Sequence, residues 1–190
     1  MASGQASGAV MKVTETSVKG VLILEPRVFG DNRGFFLESY NRRIMEEIGI
    51  TDEFVQDNHS YSGRNVLRGL HYQVQRPQGK LIRVVLGEIL DVAVDLRRKS
   101  PTFGRHAAIR LSGDDKRMLW IPAGLAHGFR VKSDGAHVLY KATDFYFPEF
   151  EHTITWNDPD LAIDWQLDGE PIISAKDRNG VSFHAAEVYE

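Results

Sequence analysis

The amino-acid sequence predicts an all-β protein, a double-sheet antiparallel barrel of jelly-roll type with a few short helices. Three observations carry that expectation: short apolar segments follow one another between turn residues, one of them alternates with period two, and long βα alternation is absent. The first strand candidate is Val21-Leu22-Ile23-Leu24, and residues 34–40 follow with Phe35 and Phe36, ring types that suit a pleated surface. Residues 42–48 read as the one clear helix, with Asn41 as its N-cap and Gly49 at its end. Strand candidates resume at 54–59 and 66–73, and then at 81–86 and 89–96, which Leu86-Gly87-Glu88 joins as a tight turn. In the last of these, Leu90, Val92, Val94 and Leu96 share one face while Asp91, Ala93 and Asp95 take the other, the pattern of a half-buried antiparallel strand. Residues 107–111, 117–121 and 137–143 complete the set, and 122–129 reads as a loop edge.

A chain of 190 residues suggests one domain, here residues 11–190, behind a small polar tail, residues 1–10, that reads as flexible. A formal net charge of −3 gives no electrostatic reason to expect nucleic acid, because a phosphate-tracking surface needs a basic excess. The absence of cysteine excludes a disulfide framework and a thiolate metal site, and it fits a cytoplasmic location. No apolar run approaches the length of a membrane span, and the first ten residues lack the basic start and apolar middle of a secretion signal.

Chemistry concentrates in Val66-Leu67-Arg68-Gly69-Leu70-His71-Tyr72-Gln73, where a guanidinium and an imidazole stand three residues apart in an apolar strand. Alternate side chains share a strand face, so Arg68 and His71 point to opposite faces unless the backbone bends, and Gly69 makes such a bend cheap. If they converge, an anion-binding fork lies beside an imidazole that can accept a proton. Further titratable groups sit at turns and strand ends: Lys80 after Gln78-Gly79, His127 between Ala126 and Gly128, Tyr140, Tyr146, and Lys176 with Asp177 near the C-terminus. Each has an ordinary explanation, since lysines are usually solvated and a tyrosine can fill a core with its hydroxyl at the rim.

Together these residues resemble the dTDP-4-dehydrorhamnose 3,5-epimerase family from about Val13 to about Ser182. The likeness rests on Phe29-Gly30-Asp31-Asn32-Arg33-Gly34-Phe35-Phe36, Phe54-Val55-Gln56-Asp57-Asn58-His59-Ser60, residues 66–73, Ser100-Pro101-Thr102-Phe103-Gly104, residues 119–129 and Ser174-Ala175-Lys176-Asp177. It implies a cupin-like jelly roll, assembled as a homodimer whose exchanged segments complete the sites, and a cofactor-independent reaction on a dTDP-linked 4-keto-6-deoxyglucose. The C4 ketone acidifies the hydrogens at C3 and C5, so the reaction needs a base, a stabiliser for the enolate and a proton donor on the opposite ring face. By position, His71 resembles the family base, Asp177 its carboxylate partner, Lys80 the group at the C4 oxygen and Tyr140 the donor. His127 matches another sugar contact. Arg33 and Arg68 match the pyrophosphate environment, with Arg33 reaching in from the partner subunit. Glu38, Gln56, Asp57, Asn58, Glu151 and Lys176 match substrate contacts, with Glu149 an alternative to Glu151, and Tyr146 matches a ring stacked on thymine.

Other readings stay in view. Gly30-Asp31-Asn32-Arg33-Gly34 lacks the spacing and following βα unit of a dinucleotide fingerprint. Many cupins bind a divalent ion through closely spaced histidines and a carboxylate, but no second histidine stands two positions after His71, so a metal is not expected. Epimerisation at one carbon only, a 3,4-ketoisomerase of related fold, a catalytically silent nucleotide-sugar-binding cupin and a metal-dependent cupin enzyme are the alternatives. A silent module has no need of a His–Asp pair facing a tyrosine.

Overall fold

The computed structural model describes residues 11–190; the expected tail, residues 1–10, lies outside them. Among the described residues the chain forms β1 (Met11–Glu15), β2 (Leu22–Pro26), β3 (Val28–Asp31), β4 (Gly34–Leu37), α1 (Arg42–Glu47), β5 (Gln56–Gly63), β6 (Leu67–Gln73), β7 (Lys80–Leu86) and β8 (Glu88–Asp95). The second half adds β9 (His106–Ser112), β10 (Met118–Ile121), β11 (Leu125–Val131), β12 (Gly135–Ala142), β13 (Glu151–Thr153) and α2 (Ala175–Arg178). One antiparallel sheet has the order β1-β2-β10-β7-β12-β5 and a second the order β13-β6-β11-β8-β9, while β3 and β4 make a separate hairpin. The result is the double-sheet jelly roll that the short strands and the absence of βα units predict, cupin-like as the resemblance implies.

Strand alternation distributes the apolar residues over three layers. Ile82, Val84, Leu119, Ile121 and Val138 of the first sheet meet Ile89, Ala93, Leu111, Phe129 and Val131 of the second to fill the barrel. Outside the first sheet, Leu24, Leu81, Met118 and Trp120 are covered by Met45 of α1 and by Ile50. Asn41 caps α1 as its position predicts, its side chain accepting from Arg43 N–H at 3.1 Å, an interaction worth about 1 kcal/mol. Outside the second sheet, Leu90, Val92, Val94 and Leu96 lie beneath Ile154, Leu161 and Trp165 of the C-terminal segment.

The half-buried reading of β8 is corrected, since Ile89 to Asp95 are all buried: the segment beyond β13 covers the face of Leu90, Val92 and Val94, and the face that alternation assigns to water, with Asp91 and Ala93, lines the barrel together with Ile89. Of residues 122–129, read as a loop edge, Pro122 to Gly124 do form a turn, but from Leu125 on, His127 included, the chain is strand β11. All seven residues of β11 are buried, and near its C-terminal end the two terminal nitrogens of Arg130 donate to the carbonyls of Trp165 and Gln166, to Asn65 and to Asp168. The strand expected at 54–59 runs instead over Gln56–Gly63, and Phe54 packs edge-on against Tyr40 and Trp120. β4 ends at Leu37 rather than at residue 40.

Candidate active site

The convergence of Arg68 and His71 is settled by a bulge. β11 places His127 opposite His71 and Phe129 opposite Arg68, so three steps along β6 match two along β11, and the extra residue turns both side chains to one face. Gly69 has φ +115°, and a Cβ there would lie 2.5 Å from the Gly128 Cα; a Cβ on Gly128 would lie 2.6 Å from the Arg68 carbonyl oxygen. Two facing glycines therefore let the strands approach where the bulge forms. The Gly69–Leu70 peptide bond is cis.

His71 Nε2 bonds Asp177 Oδ1 at 2.6 Å, and Nδ1 makes no hydrogen bond among the described residues. Asp177 is carried by α2, whose N-cap Ser174 accepts from the Asp177 N–H at 3.1 Å, while Gly69 N–H donates to Asp177 Oδ2 at 3.4 Å. Burial opposes ionisation of Asp177, but the His71 hydrogen bond and charge outweigh it and hold the carboxyl below its ordinary range. With Nε2–H donated to a carboxylate, Nδ1 presents the lone pair.

Asp91 and His127, both buried, form a second such pair, with Nε2 3.0 Å from each carboxylate oxygen. Burial lowers the His127 pKa, assisted by the charges of Lys80 and His71 and opposed by Asp91. Lys80 opens β7 on the barrel side, in line with Ile82 and Val84. Burial pulls its pKa down to about 8, with Lys176 adding to the effect and Glu151 and Asp91 resisting. Tyr140 projects from β12, the neighbour of β7 in the first sheet and so on the wall that faces His71; it packs against the barrel core, and burial raises its pKa. Glu151 lies near enough for its charge to act on both His71 and Tyr140.

Arg68 is held by Ser62 Oγ at 2.9 Å from Nε. Beside it on the inner face of β5 stand Asn58 and Gln56, the latter donating to Asn58 Oδ1 at 3.0 Å and leaving Asn58 Nδ2 without a partner among the described residues. At the mouth, Tyr146 Oη donates to Glu151 Oε2 at 2.7 Å and Lys176 pairs with the same oxygen at 2.6 Å. The Glu151 hydrogen bond leads in raising the Tyr146 pKa to about 12. Glu151, half-buried and doubly bonded, is thus the one at the site, and Glu149 is exposed.

Three expected residues are not brought to this cluster. Asp57 points to the outer face of the first sheet, bonded to Lys141 at 3.0 Å, because alternation on β5 sends it opposite to Gln56 and Asn58. Arg33 sits in the turn of the β3–β4 hairpin, paired with Asp31, and Glu38 is exposed just beyond β4, accepting from Asn41. Conversely, sequence reasoning missed Asp91 and Ser62. Asp91 had a signal, a carboxylate flanked by Leu90 and Val92 in a long apolar run; Ser62 had none. No group of three His, Asp or Glu side chains among the described residues is arranged to hold a metal ion.

Fold and site together define a proton-transfer enzyme built in the mouth of a cupin-like barrel. The model of the family described as dTDP-4-dehydrorhamnose 3,5-epimerase matches residues 15–185, and the chain belongs to that family; it is an isomerase. It is 58% identical over 180 residues to the dTDP-4-dehydrorhamnose 3,5-epimerase of Pseudomonas aeruginosa, covering 94% of this chain and 99% of that one. The crystal structure of a dTDP-6-deoxy-D-glucose-3,5-epimerase from Legionella pneumophila in complex with dTDP-4-keto-L-rhamnose superposes with a TM-score of 0.91 at 50% identity, over 93% of this chain and 95% of that one. A 3'-monoepimerase from Streptomyces bikiniensis, in complex with dTDP-quinovose, gives a TM-score of 0.83 at 33% identity, over 89% and 86% of the two chains.

Proposed function

We propose that the protein epimerises C3 and C5 of a dTDP-linked 4-keto-6-deoxyhexose, dTDP-4-dehydro-6-deoxy-D-glucose, giving dTDP-4-dehydro-L-rhamnose, with His71 as base and Tyr140 as proton donor. Nδ1 of His71 takes the proton from carbon, and the C–H electron pair moves into the ring to leave an enolate on the C4 oxygen. Asp177 stabilises the imidazolium that forms. The Lys80 ammonium offsets the oxyanion charge, and His127, oriented by Asp91, contacts the same end of the sugar. Tyr140, a phenol protonated at neutral pH and held more firmly so by burial, returns a proton to the other ring face; its phenolate then regains a proton from solvent and the His71 imidazolium loses one to it. Arg68 takes the pyrophosphate, Gln56, Asn58, Glu151 and Lys176 contact the substrate, and Tyr146 stacks on thymine.

The observation that carries this reading is the placement of His71 and Tyr140 on facing walls of one barrel, with Lys80 and Glu151 close by. Incubation with the 4-keto sugar nucleotide in deuterated water, followed by NMR, tests it. Exchange at both C3 and C5 is expected. Exchange at one carbon reduces the activity to that of a monoepimerase, and none overturns the reading.

The reading extends to a homodimer with exchanged arms. The β3–β4 hairpin belongs to neither large sheet and exposes Val28, Phe29, Phe35 and Phe36, the last two by 61% and 64%, an apolar surface that a second copy would cover. Arg33 and Glu38 ride on that arm and complete the partner's nucleotide site. A cytoplasmic location is supported by the cysteine-free composition, and no helix among the described residues is long and apolar enough to cross a membrane.

A further inference from the structure

Gln73 ends β6 and is only 3% exposed, an uncommon place for an amide. Among the described residues every hydrogen bond of its side chain is to backbone. Nε2 donates to the carbonyls of Arg76 at 2.7 Å and Phe145 at 3.2 Å, and Oε1 accepts from Phe147 N–H at 2.8 Å. The last two partners bracket Tyr146, whose own N–H donates to Gln56 Oε1 at 3.0 Å. Residues 145–147 have no regular secondary structure, and Phe145 and Tyr146 are both exposed, so little apolar burial holds them. Three consecutive residues hang from two glutamines, one on each sheet.

We propose that Gln73 is a positioning residue for nucleobase recognition: it presets the segment carrying Tyr146, so that the ring is an ordered platform before the nucleotide arrives. Fixing a loop in its bound conformation reduces the ordering cost of association. The proposal rests on the reading of Tyr146 as the stacking ring. Gln73 touches no reacting atom, so its signature is a weakened nucleotide end with unaltered chemistry.

The test compares Gln73→Leu, Gln73→Glu, Tyr146→Ala and the Gln73→Leu/Tyr146→Ala double variant, with folding checked by thermal melting. Titration calorimetry with dTDP and steady-state kinetics supply the readouts. Gln73→Leu is expected to weaken dTDP binding and raise KM about tenfold while kcat stays within about twofold. The double variant is expected to bind no more weakly than Tyr146→Ala, because both changes act through one ring. In Gln73→Glu a protonated carboxyl can still donate to one carbonyl and accept from Phe147, whereas a carboxylate faces carbonyl oxygens; its dTDP affinity relative to wild type therefore falls as pH rises. This profile decides the matter if the leucine variant does not fold. Additive losses in the double variant, a flat relative pH profile, or a kcat loss at unchanged dTDP affinity would overturn the role of Gln73. Unchanged dTDP affinity in Tyr146→Ala overturns the stacking reading instead.

Discussion

At the scale of single residues, the site works by contrast between neighbouring ionisable groups. Burial takes a proton-binding preference away from Lys80, down to about 8, and adds one to Tyr140. The two groups thus remain in the forms that enolate chemistry requires, a cation and a neutral phenol, over a bounded range. Lys80 is charged below about pH 8 and neutral above it, so kcat/KM should fall as pH rises through that value. Lys80→Arg keeps its charge well beyond that pH and should move the alkaline limb up by more than about two pH units, even at reduced activity. A pH–rate series on both proteins measures this, and a limb that stays in place assigns it to another group. Much of the residue-level chemistry was legible. Arg68, Gly69 and His71 announce a bend because a charge and an imidazole in an apolar strand need a reason. Asp91 carried a signal in its apolar flanks, but β8 alternates as a half-buried strand would, and that pattern assigns the Asp91 face to water when it lines the barrel and the distant C-terminal segment covers the other.

Elements deliver these groups through local devices that differ in how plainly they show in sequence. The cap of α1 is written in Asn41 and needs nothing distant. β5 is the opposite case, since Gln56, Asn58, Ser60 and Ser62 carry no apolar signal; they face a polar barrel mouth, and the strand exists because β12 pairs with it over eight residues. The bulge in β6 lies between these extremes, with Gly69 visible in advance and the need for Gly128 opposite it visible only once the strands are paired. Gly128→Ala should therefore act at a distance from any reacting atom. Its Cβ would meet the Arg68 carbonyl oxygen at 2.6 Å, a backbone atom that cannot swing aside, and β6 would have to move away from β11. A loss of about 1–3 kcal/mol in stability is expected, as for other overpacked interiors. Displacement of His71 relative to the Tyr140 wall should also lower kcat by about tenfold or more. Chemical denaturation and steady-state kinetics read the two effects, and an alanine variant with wild-type values of both would remove the close approach from the explanation.

At the scale of the whole molecule, the proposed exchanged-arm dimer makes one prediction that a single copy does not. Among the described residues the Arg33 guanidinium pairs with Asp31 of its own turn alone, on a hairpin that carries exposed Phe35 and Phe36 and is bonded to neither large sheet. The sequence shows the arm as an aromatic segment around Gly34, but which barrel it serves depends on a second copy, and no periodicity within one chain encodes that. In the exchanged-arm dimer, Arg33 of one subunit and His71 of the other belong to the same site. Arg33→Ala should then cripple nucleotide binding and His71→Asn should abolish proton abstraction, each inactivating both sites of its own homodimer. In a heterodimer of the two variants, one site pairs two altered residues and the other pairs two native ones. Random reassortment makes about half of the dimers mixed, each with one intact site of two, so an equimolar co-refolded mixture should recover about a quarter of wild-type activity. Measuring turnover before and after mild unfolding and refolding of the mixture separates this from residual activity of either parent. Recovery close to zero, with mixed dimers demonstrated by mass spectrometry of differently tagged chains, would place Arg33 in the same subunit's site and return the arm to a purely adhesive role.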